Sequence, residues 1–169
     1  MHSLMDLIRL MTPHDYPAVA NIYQQGIDTK NATFEQSPPA KWEDFSNKFL
    51  PFSKSVAIVE NEVAGWAALS SVSSRCVYAG VCEVSVYVAA SQRGKRIGRA
   101  LLQHLIDLVE QNNIWTMQAG IFPENTASVK IHTDLGFRIV GHREKIGKMD
   151  GVWRDTLLLE LRSKSPAFN

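Results

Sequence analysis

The sequence predicts an α/β fold, an α+β arrangement in which one mixed sheet carries helices on both faces. Three observations lead there. Segments of period-2 and of helical periodicity follow one another in the order β-α-α-β-β-β-α-β-α-β-β. Residues 83–88 are a strand rich in β-branched and aromatic side chains that runs into a basic, glycine-containing turn and then a helix. The chain has 169 residues, 45% hydrophobic and 21% charged, which is one domain's worth of core. We therefore assign residues 1–162 to a single domain and 163–169 to a frayed C-terminal tail.

Residues 1–11 are too short and too charged for a secretory or membrane segment and read as a lead-in to a strand at Ile8 to Met11. Thr12, Pro13 and Asp15 then supply an N-cap, an N1 proline and a first-turn acid. Ala18, Val19, Ile22, Tyr23 and Ile27 recur at helical spacing. Residues 28–39 lose that period and read as a loop, closed by a second helix over about 41–50. A hairpin follows, 55–60 and 63–71, turning at Asn61 and Glu62. After the strand at 83–88, Ile97, Leu101, Leu102, Leu105, Leu108 and Val109 line one helical face that ends near Asn112 and Asn113. Residues 115–121 alternate as a strand, 125–135 are helical and stop at Gly136, and 137–141 and 151–161 close the sheet around Asp150 and Gly151.

Local charge carries more information than net charge. The formal balance is +1, so no global field argues for nucleic acid or an anionic membrane. Arg93, Gly94, Lys95, Arg96, Ile97, Gly98 and Arg99 nevertheless bring four cations and two glycines to a strand–turn–helix junction. Unsatisfied amides, a positive helix end and glycines that permit close approach make an anion site there, suited to a pyrophosphate-bearing cofactor. The GxxxxGK[ST] and GxGxxG patterns are both absent, which excludes an ordinary P-loop and a dinucleotide fingerprint. Cys76 and Cys82 have no metal-ligand spacing, no metal is expected, and a reduced cytosolic setting follows.

Arg93 and Gly98 in this turn resemble the acyl-CoA-binding motif [RQ]xxGx[GA] of the GNAT N-acetyltransferase superfamily, with Arg96 where that pattern usually has glycine. Residues 125–137, from Asn125 through Ser128 and His132 to Gly136 and Phe137, resemble the superfamily's NxxSxxL[HY]xxxGF stretch. The resemblance narrows further. Arg75 and Tyr78 followed by Glu83, Ser85, Val86, Tyr87 and Val88, with Thr33, Phe34 and Glu35 upstream, are similar to the phosphinothricin and methionine sulfoximine N-acetyltransferases. Gly147, Lys148, Gly151, Trp153 and Asp155 match that family's C-terminal signature.

The resemblance implies the GNAT fold, a mostly antiparallel twisted sheet flanked by helices, with acetyl-CoA as donor and commonly a homodimer. It implies that Val86 to Val88 hold the acetyl carbonyl and pantetheine arm through backbone amides, the turn from Arg93 to Arg99 holds the pyrophosphate, and Asn125 either caps a helix or bonds the arm. Ser128 and His132, four residues apart, share a helical face. His132 stands where many members carry a tyrosine that protonates the leaving thiolate, and its alternative is packing at a helix end. A protonated amine cannot attack a thioester, so a carboxylate on the central strand is needed as base. Glu83 is the candidate, against an alternative as a salt-bridge partner. Arg75 suits bidentate capture of a substrate carboxylate. Phe34, Tyr78 and Tyr87 suit the walls of a head-group pocket, with Glu35 and Ser85 beside them. Direct attack leaves both cysteines to packing, and Trp153 to packing or a dimer contact.

The expected function is acetyl transfer from acetyl-CoA to the α-amino group of a small amino-acid analogue, such as methionine sulfoximine, methionine sulfone or phosphinothricin. The alternatives are another amine (a polyamine, an aminoglycoside or a protein N-terminus), a CoA-binding sensor without catalysis, and a nucleic-acid-binding module. Near-neutral charge and Arg75 disfavour polycationic acceptors, and composition disfavours nucleic acid.

Overall fold

Two-residue turns set the hairpins of this fold. Ser55–Val59 (β2) and Glu62–Ser71 (β3) are joined by Glu60 and Asn61, at φ of 51° and 66°. Positive φ at both central residues gives the twist a tight hairpin needs, so the turn lies one residue earlier than sequence spacing indicated. The computed structural model describes residues 7–169; the reading of residues 1–6 as a lead-in lies outside the described residues. A short strand at Ile8–Leu10 (β1) edges β2, and a 3₁₀ turn at Pro13–Asp15 opens the helix Tyr16–Asp28 (α1). Asp15 braces that start: its carboxylate accepts from Thr12 N–H at 2.7 Å and from Arg9 at 2.8 Å.

The second helix, Trp42–Ser46 (α2), is half as long as its pattern suggested: Lys48 and Phe49 N–H donate only three residues back, to Phe45 O and Ser46 O, and Leu50 N–H donates to Leu69 O of β3 instead. Val81–Val88 (β4) pairs antiparallel with β3, then Ile97–Val109 (α3) crosses to Thr116–Ile121 (β5), which runs parallel to β4. Thr126–Asp134 (α4) leads into Arg138–Met149 (β6) and Val152–Arg162 (β7). The seven strands lie in the order β1-β2-β3-β4-β5-β7-β6, the mixed sheet expected. β6 runs past its expected end at Gly141 to Asp150 and Gly151, whose φ of 50° and 80° again make a tight hairpin turn. Irregular pairing hid that extension: three residues of β6, 144–146, stand against Asp155 alone.

The sheet buries both faces of its first half. On one side α3 packs Leu101, Leu102 and Leu105 against Leu69, Cys82 and Met117, all essentially without solvent exposure. On the other, Val19, Ile22 and Tyr23 of α1 and Phe45 of α2 cover Trp66, which stacks on Tyr87 at 4.8 Å. A Cβ at Gly26 of α1 would lie 2.6 Å from the Tyr87 ring, so glycine there is what lets that ring pass beneath the helix. The C-terminal residues, expected as a frayed tail, lie against the start of β5. Ser163 N–H donates to Trp115 O, Arg162 donates to Phe168 O at 2.8 Å, and Phe168 meets Trp115 edge-on. Among the described residues, no helix is long and apolar enough to cross a membrane.

Candidate active site

The site forms where the sheet stops pairing. β4 and β5 are in register at Val81, Cys82 and Glu83 against Thr116, Met117 and Gln118, and pairing ends there although both strands continue. Beyond Glu83, alternate residues of β4 direct their N–H and C=O groups into a gap without a partner strand. Two cavities open on this gap and share Ala32, Val86, Tyr87, Asn125, Ser128 and His132.

The first cavity, of about 320 Å³, lies between the unpaired edge of β4 and the starts of α3 and α4. Val86, Tyr87, Val88, Arg93, Gly98, Asn125 and Ser128 line it. The first intrahelical bond of α3 is Ala100 N–H to Arg96 O, at 3.0 Å, so the amides of Ile97, Gly98 and Arg99 precede the ladder and are free for an anion. Arg96 caps the helix with φ of +64°, a left-handed conformation that explains why a glycine suits this position. Gly94, Lys95 and Arg96 form the exposed turn and do not line the cavity, while the Ile97 side chain enters the core. Arg99 reaches Asp134 at 3.9 Å. Free helix-start amides, the Arg93 guanidinium and an unpaired strand edge are the donors that a pyrophosphate on an amide-bearing arm requires; acetyl-CoA fits this half.

The second cavity, of about 420 Å³, lies on the far side of the gap. Glu83, the last paired residue of β4, stands half-buried in its wall, with Ser85, Phe34 and Glu35. Burial pushes the Glu83 carboxyl above its ordinary range, opposed by the Arg143 charge and the Gln118 amide. Phe34 meets Phe122 edge-on at 4.9 Å, and a Cβ at Gly147 would lie 2.7 Å from the Phe34 ring, so glycine lets the loop seat against β6. Burial also raises the Tyr87 phenol, which stays neutral.

His132 bridges the two halves, 6% exposed, with Nδ1 2.8 Å from Ser128 O. A carbonyl only accepts, so Nδ1 carries the hydrogen and Nε2 of the neutral ring is an acceptor. Burial lowers the His132 pKa against the pull of that carbonyl. The thiolate-protonating role read from sequence would use Nε2–H of an imidazolium, which the Ser128 carbonyl favours and burial disfavours. Asn125 acts as the helix cap, accepting from Ser128 N–H at 3.3 Å, and its amide donates to Asn31 O at 3.2 Å.

The structure does not bring every expected residue to the cavities. Arg75 and Tyr78 are exposed on a 3₁₀ turn before β4, Arg75 5.4 Å from the Tyr78 ring, and neither lines a cavity. The local pattern could not show that this turn lines neither cavity. Cys76 is exposed, not packed as expected; Cys82 is buried, its thiol pushed up to about 12 by burial. Trp153 is 55% exposed. Two arginines escaped sequence reasoning: Arg143 because β6 was read as ending at Gly141, and Arg154, within the expected last strand, because its partners are distant in sequence. Arg143 lines the second cavity. Arg154 lies 4.1 Å over the Phe122 ring and donates to Lys30 O, Asn31 Oδ1 and Glu124 at 2.9–3.3 Å, strapping the 28–39 loop to the approach of α4. No cluster of metal-ligating side chains occurs among the described residues.

Comparison with known proteins agrees with this geometry. The family model described as "Acetyltransferase (GNAT) domain" matches residues 8–158. A phosphinothricin N-acetyltransferase of Alcaligenes faecalis is 31% identical over 160 residues, covering 90% of this chain and 80% of that protein. An L-methionine sulfoximine/L-methionine sulfone acetyltransferase of Pseudomonas aeruginosa is 30% identical over 156 residues, covering 87% and 88%. The crystal structure of a GNAT superfamily phosphinothricin acetyltransferase from Sinorhizobium meliloti in complex with acetyl-CoA superposes with a TM-score of 0.85 at 28% identity, covering 95% of this chain and 90% of that one. The splayed strands, the helix-start amides and the family match lead to one assignment: the chain belongs to the GNAT acetyltransferase family and is an acetyl-CoA-dependent N-acetyltransferase.

Proposed function

We propose that this enzyme acetylates the α-amino group of a small amino-acid analogue, of the methionine sulfoximine, methionine sulfone or phosphinothricin type, with Glu83 as general base. The observation that carries the reading is the position of Glu83 at the end of β4–β5 pairing, on the cavity that meets the cofactor half at the gap. The named substrates of the relatives supply the acceptor class.

Acetyl-CoA supplies an activated acetyl group, whose C–S bond breaks as the new C–N bond forms and CoA leaves. Arg93 and the α3 amides hold the anionic end of the cofactor arm. Alternate amides of β4 from Val86 to Val88 orient the arm and polarise the acetyl carbonyl. Glu83 takes the acceptor's proton, directly or through one water, and its raised pKa makes it a stronger base for that step. Glu35 adds a second carboxylate that favours an incoming ammonium. His132, with Nε2 as acceptor, holds a water or N–H at the junction. The pKa of the Cys82 thiol, about 12, accords with direct transfer. We place this enzyme in the cytosol, inactivating toxic amino-acid analogues. We propose a homodimer in which exposed Val152 and Trp153 give a second copy an apolar surface.

The test is thiol release from acetyl-CoA with methionine sulfoximine, methionine sulfone, phosphinothricin, spermidine, kanamycin and a short peptide. Turnover restricted to the amino-acid analogues is expected. Turnover on spermidine, kanamycin or peptide alone refutes the acceptor class, and sedimentation at micromolar concentration tests the dimer.

A further inference from the structure

With Arg75 outside the cavities, another group must meet the negative end of an amino-acid acceptor. Arg143 is the only lysine or arginine, among the described residues, that lines the second cavity. It lies on the Glu83 face of the sheet: Glu83 pairs with Gln118, Gln118 with Glu160, and four residues back along β7 Thr156 pairs with Arg143. Arg143 is also the last β6 residue in register before the strand bulges. Asp155 pins that bulge, accepting from Lys145 N–H at 2.8 Å and meeting His142 Nε2 at 2.7 Å. A bulge next to a site re-aims the adjoining side chain. Arg143 takes part in none of the ion pairs found among the described residues. The carboxylates of Glu35 and Glu83 line the same cavity, so its charges are laid out as those of a zwitterion require.

We propose that Arg143 anchors the acceptor's α-carboxylate, directing the α-amine toward Glu83. The assignment rests on the amino-acid reading above and names the group that selects acids over simple amines. A guanidinium offers two parallel N–H donors to a carboxylate, which a lysine ammonium cannot reproduce. The Ser85 and Thr156 hydroxyls, on the same face, add polar contacts for the head group.

Steady-state kinetics with methionine sulfone and its methyl ester test the assignment in wild type and in Arg143→Gln, Arg143→Lys and Arg75→Gln. Arg143→Gln should raise KM for the acid roughly 10- to 100-fold, the worth of hydrogen bonds to a charged group, while KM for the ester and for acetyl-CoA stay near wild type. Arg143→Lys should recover part of the acid's affinity. Equal losses on acid and ester, or an unchanged acid KM in Arg143→Gln, overturn the anchor. A loss on the acid confined to Arg75→Gln returns the role to that residue and also overturns it. Wild type that acetylates neither compound but turns over another amine removes the amino-acid reading and the anchor with it, an outcome distinct from an active wild type whose Arg143 variants are normal.

Discussion

Glu83→Gln is the sharpest perturbation of this site, because it keeps the side chain's shape and removes only its capacity to take a proton. Glu83 is desolvated enough to raise its pKa, and the Arg143 charge and Gln118 amide oppose that rise. An amino acid's α-amine is mostly protonated at pH 7, and each unit by which its pKa exceeds the pH costs roughly 1.4 kcal/mol. Wild type can bind the abundant ammonium and strip its proton in place, whereas the variant must wait for the free amine. Adding the proton transfer lost in the transition state, kcat/KM should fall roughly 10²–10⁴-fold at pH 7, the range of general-base catalysis. The deficit should shrink about tenfold per pH unit up to the amine pKa and then level. The assay is thiol release from pH 5.5 to 9.5, with calorimetry of acetyl-CoA binding to show an intact cofactor half. In wild type, activity should be lost as pH falls through the raised Glu83 pKa, since the base must be unprotonated. In Glu83→Gln that limb should give way to a steady fall below the amine pKa, because only the free amine reacts. Burial lowers the pKa of His132, a second titratable group at the junction, and His132→Asn separates its contribution. A variant within threefold of wild type at pH 7, or one with a constant deficit and an unchanged acid limb, refutes the reasoning.

Other predictions follow from single contacts. Arg96→Gly should relieve about 1 kcal/mol of left-handed strain and raise Tm by roughly 2–4 °C, whereas Arg96→Ala should not; differential scanning calorimetry checks it. Arg154→Ala should free the 28–39 loop, raising KM for both substrates several-fold and exposing the loop to limited proteolysis, because its three tethers and the Phe122 contact go together. Asp15 is held down to about 2 by the Arg9 guanidinium, so its contribution to stability is complete above the ordinary carboxylate pKa and lost as pH falls through about 2. Asp15→Asn should flatten acid unfolding, followed by circular dichroism, across that window.

Order and type of the elements were legible because each carries its own period. Leu101, Leu102 and Leu105 mark the face of α3, and the β-branched run of β4 marks the central strand. The cofactor half was legible for a related reason: strand, turn and helix start are contiguous in sequence, and local chemistry is enough to place an anion there. The acceptor half is assembled from distant pieces. Phe34 and Glu35 of the loop meet Glu83 of β4 and Arg143 of β6 only after a sheet order that no local pattern encodes. Arg143 was hidden further by the bulge in β6, where three residues opposite one break the alternation that marks a strand. His132 was found by its motif, but its tautomer depends on a carbonyl one helical turn back, which only coordinates reveal.

The gap between β4 and β5 is costly in itself, since each half-buried peptide group left without a partner costs roughly 1–3 kcal/mol. It stays open because both flanking cores are complete. Leu102, buried among α3 and the sheet, also lines the cofactor cavity, and Tyr87 is fixed on the other face by Trp66 and Tyr23. Collapse of the gap would have to break one of those cores, a greater loss than the unpaired amides. A ligand carrying amides of its own can supply the missing partners, much as an added strand completes a sheet edge. The charges on either side then divide the work. On the cofactor side, Arg93 and the helix-start amides oppose an anion with no carboxylate among the lining residues. On the acceptor side, Glu35, Glu83 and Arg143 together suit a molecule of both signs. A polyanion entering the acceptor cavity would meet two carboxylates, and an ammonium in the cofactor cavity would meet a guanidinium. Each half thus repels the other's ligand, and only the acetyl group has reason to lie in the gap where they meet.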